Sequence, residues 1–250
     1  MRAVILAAGR GSRMMTHTDD QPKCLVQWRG RALLDWQLQA LRDVGIRDIA
    51  IVTGYKRESL RSRAMQEFVN PKWAHSSMVD SLLCADEWLS NSPCLALYSD
   101  IVYSARTLEP MLQLLDTIGV ASYSKWFDLW SMRFEDVLTD AESFIVDHSG
   151  LISQIGSKAD RIEDIQGQFS GMLQFQPESW EQFKRAIEDS RMKSTSFQDL
   201  TGLLGHICAT ERMPLRSIEV DGFWAEFDSA SDLTAAEAFA VKFRSEFEVS

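Results

Sequence analysis

The chain has 250 residues, 45% of them hydrophobic and 25% charged, with a formal net charge of −10. That length allows one sizeable core, and no shift in composition marks a second unit. The acidic balance argues against nucleic acid, which needs a broad basic face, and no apolar run approaches the roughly 20 residues of a membrane helix.

In chain order, AVILAA is a short apolar run ending at Gly9, as a buried strand would be. LLDWQLQALRDVG carries apolar residues at helical spacing and stops at Gly45, IRDIAIVTG is a second strand, and residues 55–68 read as a helix. After Asn70-Pro71, SMVDSLLCADEWL is helical by Val79, Leu82, Leu83 and Leu89, and CLALYSD is a third strand. TLEPMLQLLDTIG and VASYS repeat the pair. This alternation predicts an α/β fold whose parallel central sheet has helices on both faces. In the second half, ESFIVDHSGLISQIG reads as a hairpin turning at His148-Ser149-Gly150, and GQFSGMLQFQP as another strand. PESWEQFKRAIED and SFQDLTGLLGHICA are helices, PLRSIEVD is a strand, and the closing helix starts behind Ser229 or Ser231. No linker interrupts this order, so residues 1–250 are expected to form one domain whose parts before and after about residue 125 differ in character.

Ligands of open parallel sheets bind beyond the carboxyl ends of the strands, so the loops after Ala7, Gly54, Asp100 and Ser124 should share a cleft. Residues 1–63 hold twelve Lys or Arg against six Asp or Glu, near +6 against about −16 for the remainder, and a small anion suits that end of the chain. Gly9-Arg10-Gly11-Ser12-Arg13 offers successive backbone N–H groups to phosphate oxygens. The dinucleotide fingerprint G-x-G-x-x-G fails at Met14, which makes a nicotinamide enzyme improbable, and the P-loop spacing is absent. Four cysteines at irregular spacings, Cys24, Cys84, Cys94 and Cys208, suggest reduced thiols and a cytoplasmic protein. The short start lacks a signal-peptide cleavage pattern, so Met1 reads as the start of the mature chain. His17, His75, His148 and His206 show no i, i+4 pairing, which argues against zinc.

The pattern LAAGRGSRM followed by QPKCLV resembles the signature of the nucleotidyltransferases that share a Rossmann-like core, among them sugar-phosphate nucleotidyltransferases and phosphocholine cytidylyltransferase. The resemblance implies a mixed, mainly parallel sheet, a loop of Leu6, Ala7, Ala8, Gly9, Gly11 and Ser12 wrapped round the triphosphate, and Arg13 and Lys23 neutralising its charge. It also implies two carboxylates, Asp100 after YS and Asp228 in FWAEFDSASDL, holding Mg²⁺ between the α-phosphate and the acceptor. Glu226 stands beside Asp228, and Asp228 could instead cap the last helix. The stretches NPKWAHSSMVDSLLCA, SKWFDLWSMRFEDVLTDAESF and GQFSGMLQF are similar to enzymes that join CMP to small phosphorylated or phosphonic metabolites, of the phosphoglutamine and phosphonoformate type. The resemblance implies a nucleotide-binding half to about residue 125 and an acceptor-binding half beyond it, with Gly54 on the nucleotide side and Ser77 and Asp80 where the nucleotide's base or the acceptor should sit. Ser77 and Asp80 depart from the relatives' usual Asn and aromatic residue, which leaves the acceptor open.

Lys125, directly after VASYS, is expected to bind the acceptor's phosphoryl oxygens or the charge developing at the α-phosphate, and is otherwise a surface lysine. Arg133 could do the same, or pair with Glu135 or Asp136. Trp73, Trp126, Trp130 and Trp224 could cage a quaternary ammonium or fill the core; Ser76, Ser77, Asp80 and Asp199 are the polar alternatives for another acceptor. The expected partners are CTP and a small phosphate or phosphonate, with a homodimer left open. A sugar-1-phosphate enzyme using UTP, dTTP or GTP, or a nucleotide-binding module without catalysis, would carry the same loop.

Overall fold

A computed structural model describes residues 1–11, 20–61, 63, 66–192, 197, 199–210 and 212–247. The chain begins with β1 (Arg2–Ala7), a small ribbon of β2 (Gln27–Trp28) and β3 (Arg31–Ala32), and helix α1 (Leu33–Asp43). Strands β4 (Ile49–Thr53) and β5 (Gln66–Val69), helices α2 (Met78–Leu83) and α3 (Asp86–Leu89), and strands β6 (Cys94–Tyr98) and β7 (Ile101–Tyr103) follow. Next come α4 (Ala105–Leu108), β8 (Ile118–Tyr123), α5 (Trp126–Arg133), β9 (Glu142–Val146), β10 (Ile152–Lys158) and β11 (Gln168–Phe175). The chain ends with α6 (Pro177–Met192), α7 (Leu200–Ala209), β12 (Leu215–Val220), β13 (Trp224–Glu226) and α8 (Ala230–Ala240).

Seven strands form the central sheet in the order β12-β8-β11-β6-β1-β4-β5. β1 runs parallel to β4 and β6, β4 to β5, and β8 to β12, while β11 is antiparallel to both β6 and β8. The sheet is therefore mixed and mainly parallel. Its central strands carry apolar side chains on both faces because both are covered: Ala3, Ile5 and Ala7 enter one core cluster, Val4, Leu6 and Ala8 the other. This is the burial that an uninterrupted apolar run such as AVILAA anticipates.

Residues 55–68 are not the expected helix. Gln66–Val69 is strand β5, in register with β4 from Ala50 to Thr53, and the helical geometry among the described residues there is a single 3₁₀ turn at Arg57–Ser59. The side chains explain the extended form: the Glu67 carboxylate accepts a 2.6 Å hydrogen bond from Thr53 Oγ1 and pairs with Arg57 at 3.2 Å. The hairpin at His148-Ser149-Gly150 forms as β9 and β10. The closing helix starts behind Ser229, where the Asp232 carboxylate accepts the Ser229 N–H at 2.7 Å. No helix among the described residues is long and apolar enough to cross a membrane.

Candidate active site

β1, β4, β6 and β8 all point their carboxyl ends toward one edge of the sheet, which is where the loop chemistry gathers. Directly after β1, Gly11 takes φ +69°, and a Cβ there would lie 2.6 Å from Lys23 Cβ and 2.7 Å from Lys23 Cδ. Glycine is thus required twice over, by the backbone conformation and by the side chain against it. Lys23 is buried, 6% exposed, yet keeps its charge because Nζ lies 2.8 Å from Asp100 Oδ2 and 2.5 Å from Asp228 Oδ1. Burial alone would lower the Lys23 ammonium, but the two carboxylates outweigh it and hold the group above its ordinary value.

Asp100 follows β6, and Asp228 and Glu226 come from the end of β13 and the turn before α8. β13 pairs with β7 just past Asp100, setting Glu226 opposite Ile101, and the Phe227 N–H donates to the Asp100 carbonyl at 2.9 Å. One oxygen from each of Asp100, Glu226 and Asp228 lies within 4.8 Å of the others. Asp100 Oδ1 is a buried oxygen with no hydrogen-bond partner among the described residues. Burial first, then the charges of Asp228 and Asp100, push the Glu226 carboxyl up to about 8 despite Arg133 and Lys23 nearby. Hard carboxylate oxygens, one of them orphaned, in a cluster that resists full ionisation are a donor set that fits a divalent cation.

Two cavities flank this centre. The smaller, about 160 Å³, is lined by Leu6, Ala8, Gly9, Trp73, Ser76, Ser77, Met78 and Ser81. Its far wall is held by Asn70, a residue the sequence did not single out. Asn70 is buried and donates through Nδ2 to Ser76 Oγ at 2.8 Å and Ser81 Oγ at 3.0 Å. The larger, about 320 Å³, contains Asp100, Glu226 and Asp228 and extends to Tyr98, Trp130, Phe169 and Trp224 and to further acids at 140, 142 and 199.

Several expected residues sit elsewhere. Ala7 faces the opposite core, as the alternation of a strand dictates. Gly54 lines neither cavity; a Cβ there would meet Trp73 Cβ at 2.5 Å and the Ala8 carbonyl at 2.7 Å, so its smallness lets two loops close on each other. Asp80 is taken up by the start of α2, accepting from the Ser77 N–H and Oγ at 2.8 Å, and by an ion pair with Arg191. Burial opposes its charge, but these partners outweigh burial and lower its carboxyl. Lys125 extends over the Phe243 ring, 4.9 Å from its centroid and 3.9 Å from Asp221, outside both cavities. Asp228 is not the helix cap; Ser229 holds that position. Ser12 and Arg13 lie outside the described residues.

Arg133 pairs with neither Glu135 nor Asp136. Its guanidinium, 3% exposed, donates from Nε to Asp232 Oδ1 at 2.8 Å and lies 3.5 Å from Glu226. Asp232 Oδ2 in turn accepts the N–H groups of Asp228 at 2.8 Å and Ser229 at 2.7 Å. The turn bearing Glu226 and Asp228 is therefore pinned from behind. The four tryptophans do not form a cage: Trp73 lines the small cavity, Trp126 neither, and Trp130 and Trp224 stack on each other at 6.0 Å and 6°.

Residues 3–145 match the model of the MobA-like NTP transferase domain. The chain belongs to this family. Over 249 residues it is 29% identical to CTP:phosphoglutamine cytidylyltransferase of Campylobacter jejuni, covering 93% of this chain and 98% of that protein. It is 36% identical to choline-phosphate cytidylyltransferase of Streptococcus pneumoniae over 96 residues, 37% of this chain and 42% of the relative. The fold is that of the solved CTP:phosphocholine cytidylyltransferase from S. pneumoniae, with a TM-score of 0.73 at 22% identity, covering 95% of this chain and 98% of the other. This member of the NTP transferase family thus presents its glycine loop, one buried lysine and three carboxylates at a single sheet edge.

Proposed function

We propose that this protein is a CTP-dependent cytidylyltransferase, joining CMP to a small phosphate or phosphonate with release of pyrophosphate. The observation that carries the reading is the convergence of Asp100, Glu226 and Asp228 within 4.8 Å, with Lys23 against two of them. The near full-length similarity to a phosphoglutamine cytidylyltransferase supports CTP as the donor and a phosphorus-bearing acceptor.

In this reading the small cavity takes the nucleoside. Leu6, Ala8 and Met78 provide its apolar wall, and Ser76 and Ser77 its polar groups. The backbone of Gly9 and Gly11 cradles the phosphates, and Arg13 and Lys23 carry their counter-charge. The acceptor enters the larger cavity and brings a phosphoryl oxygen to the α-phosphorus from the side opposite pyrophosphate. That oxygen is already ionised at neutral pH, so the site needs no general base, and positioning with charge neutralisation supplies the rate. Asp100, Glu226 and Asp228 would hold Mg²⁺, which screens the repulsion between the two anions. Strands from both halves of the chain share the sheet, so the whole chain acts as one unit. Four cysteines without a disulfide fit a cytoplasmic setting.

The test is pyrophosphate release with Mg²⁺, using each of the four ribonucleoside triphosphates and dTTP against a panel of small phosphates, phosphonates and glucose-1-phosphate. Turnover confined to CTP with a small phosphorus acceptor is the expected result. Turnover with a sugar phosphate and UTP, dTTP or GTP would overturn it.

A further inference from the structure

The larger cavity is acidic well beyond the carboxylate trio. Asp140, Glu142 and Asp199 also line it, and none of its lining residues is Lys, Arg or His. Among the described residues none of these three acids makes an ion pair, although Lys, Arg and Asp pair widely elsewhere in the chain. Asp140 Oδ2 accepts the Trp130 indole N–H at 3.0 Å and Asp199 Oδ1 accepts the Gly202 N–H at 2.7 Å, each leaving a second oxygen. The Glu142 carboxylate accepts no hydrogen bond from a described residue; its backbone alone is engaged, by Gln168. Burial, followed by the charges of Asp199 and Asp140, raises the Glu142 carboxyl to about 7. Among the described residues, Glu142 is half-buried with no donor on its carboxylate, Asp140 and Asp199 are exposed acids beside it, and the Arg133 guanidinium is the one positive charge acting on Asp140; a cation that donates hydrogen bonds relieves this concentration of negative charge.

The nature of that cation follows from the walls. A quaternary ammonium has no N–H and is held chiefly by aromatic faces. Here Trp130 and Trp224 are stacked on each other, the Arg133 guanidinium lies 5.1 Å from the Trp130 ring centroid, and Tyr123 packs 5.2 Å from that of Trp224. The remaining aromatic groups on the wall, Tyr98 and Phe169, meet edge to face at 5.8 Å rather than as parallel plates round a void. Carboxylate oxygens are what the cavity offers, and they match the three N–H donors of a primary ammonium. A carboxylate-ended acceptor would add a like charge to the wall.

We propose that the acceptor is an ω-amino phosphate or phosphonate, whose primary ammonium is held by Asp140, Glu142 and Asp199 while its phosphoryl end lies at Asp100, Glu226 and Asp228. The inference rests on the cytidylyl-transfer reading and makes these three acids the determinants of acceptor choice.

The test compares two matched pairs with CTP and Mg²⁺ on the full chain. 2-Aminoethylphosphonate against phosphonoacetate reverses the charge of the far end, and phosphoethanolamine against phosphocholine removes its N–H groups. A hydrogen bond to a charged group contributes about 1.5–3 kcal/mol, so kcat/KM is expected to be at least about tenfold higher for the primary amine in each pair. Glu142→Gln and Asp199→Asn should each raise the amine KM about tenfold and narrow that preference, with the KM for CTP within about twofold of the parent. A single cooperative melting transition, at or above the parent's temperature for Glu142→Gln, shows that the variants fold. Preference for phosphonoacetate or phosphocholine, or a preference untouched by both substitutions, overturns the inference while leaving cytidylyl transfer standing. Silence with CTP and every acceptor overturns the transfer reading and the inference with it.

Discussion

Replacing Lys23 by Met tests the electrostatic design of the site directly. Nζ lies 2.8 Å from one carboxylate and 2.5 Å from another, so at an effective dielectric constant of about 20 each gross attraction is about 6 kcal/mol. Desolvation of the buried ammonium offsets most of this, and removing one member of such a buried group costs about 3–5 kcal/mol because the remaining charges lose their partner. Glu226, whose carboxyl is raised to about 8, already holds its proton at neutral pH, so two carboxylates and not three lose a charged partner. The low end, about 3 kcal/mol, is therefore expected. For a chain of this size it corresponds to a fall in melting temperature of about 6–12 °C. The variant, melted by circular dichroism in a chelator, should show this drop. Mg²⁺ should then raise its melting temperature more than the parent's, since a divalent cation would neutralise the charge that Lys23 no longer does. A melting temperature within about 2 °C of the parent in the chelator, or equal metal shifts in the two proteins, would refute the reasoning.

Asp100→Asn should lower turnover by at least about a hundredfold in the pyrophosphate assay, with no loss of melting temperature, since it removes a charge from a crowded cluster. Gly11→Ala should raise the KM for CTP and destabilise the chain by about 1–3 kcal/mol in urea titrations, through positive φ and the contact with Lys23. Asp232→Ala removes the acceptor for the Asp228 and Ser229 N–H groups. It should weaken Mn²⁺ binding, read by electron paramagnetic resonance without nucleotide, beyond the about 1 kcal/mol of a lost helix cap. Glu142→Gln should stabilise the protein in a pH-dependent way. The folded Glu142 titrates near 7 and the unfolded one near 4.5, so between those values the folded state holds a proton the unfolded state has lost, and stability falls as pH rises through that window. The melting-temperature gain of the variant over the parent should accordingly be larger at pH 8 than at pH 5.

What could be read from sequence follows local physics. The apolar runs at 3–8, 49–53 and 94–98 are strands because both faces of each are buried, and Gly11, Lys23, Asp100 and Asp228, singled out through the family resemblance, lie together in the structure. What escaped depends on partners distant in the chain. Residues 55–68 held apolar spacing loose enough for either period, and the decision fell to a pairing with β4. The GQFSGMLQF run reads correctly as a strand, but no periodicity says that it lies antiparallel between β6 and β8. Arg133 is paired with Asp232, far along the chain, and not with the acids beside it in sequence. Asp80 looked available for ligand and is consumed by its own helix start and by Arg191. Asn70 gives no signal beyond its place before a proline.

The position of β11 in the sheet also bears on how the protein can be made. As the chain leaves the ribosome, β1, β4, β5 and β6 can pair as they emerge, but the outer edge of β6 has no partner until residues 168–175 arrive, and β8 must wait for the same segment. An early-formed half would expose a bare apolar strand edge during translation. A fragment ending at residue 145 would retain that edge permanently, without β11 to cover it or Glu226 and Asp228 to complete the carboxylate trio, and is expected to aggregate rather than fold.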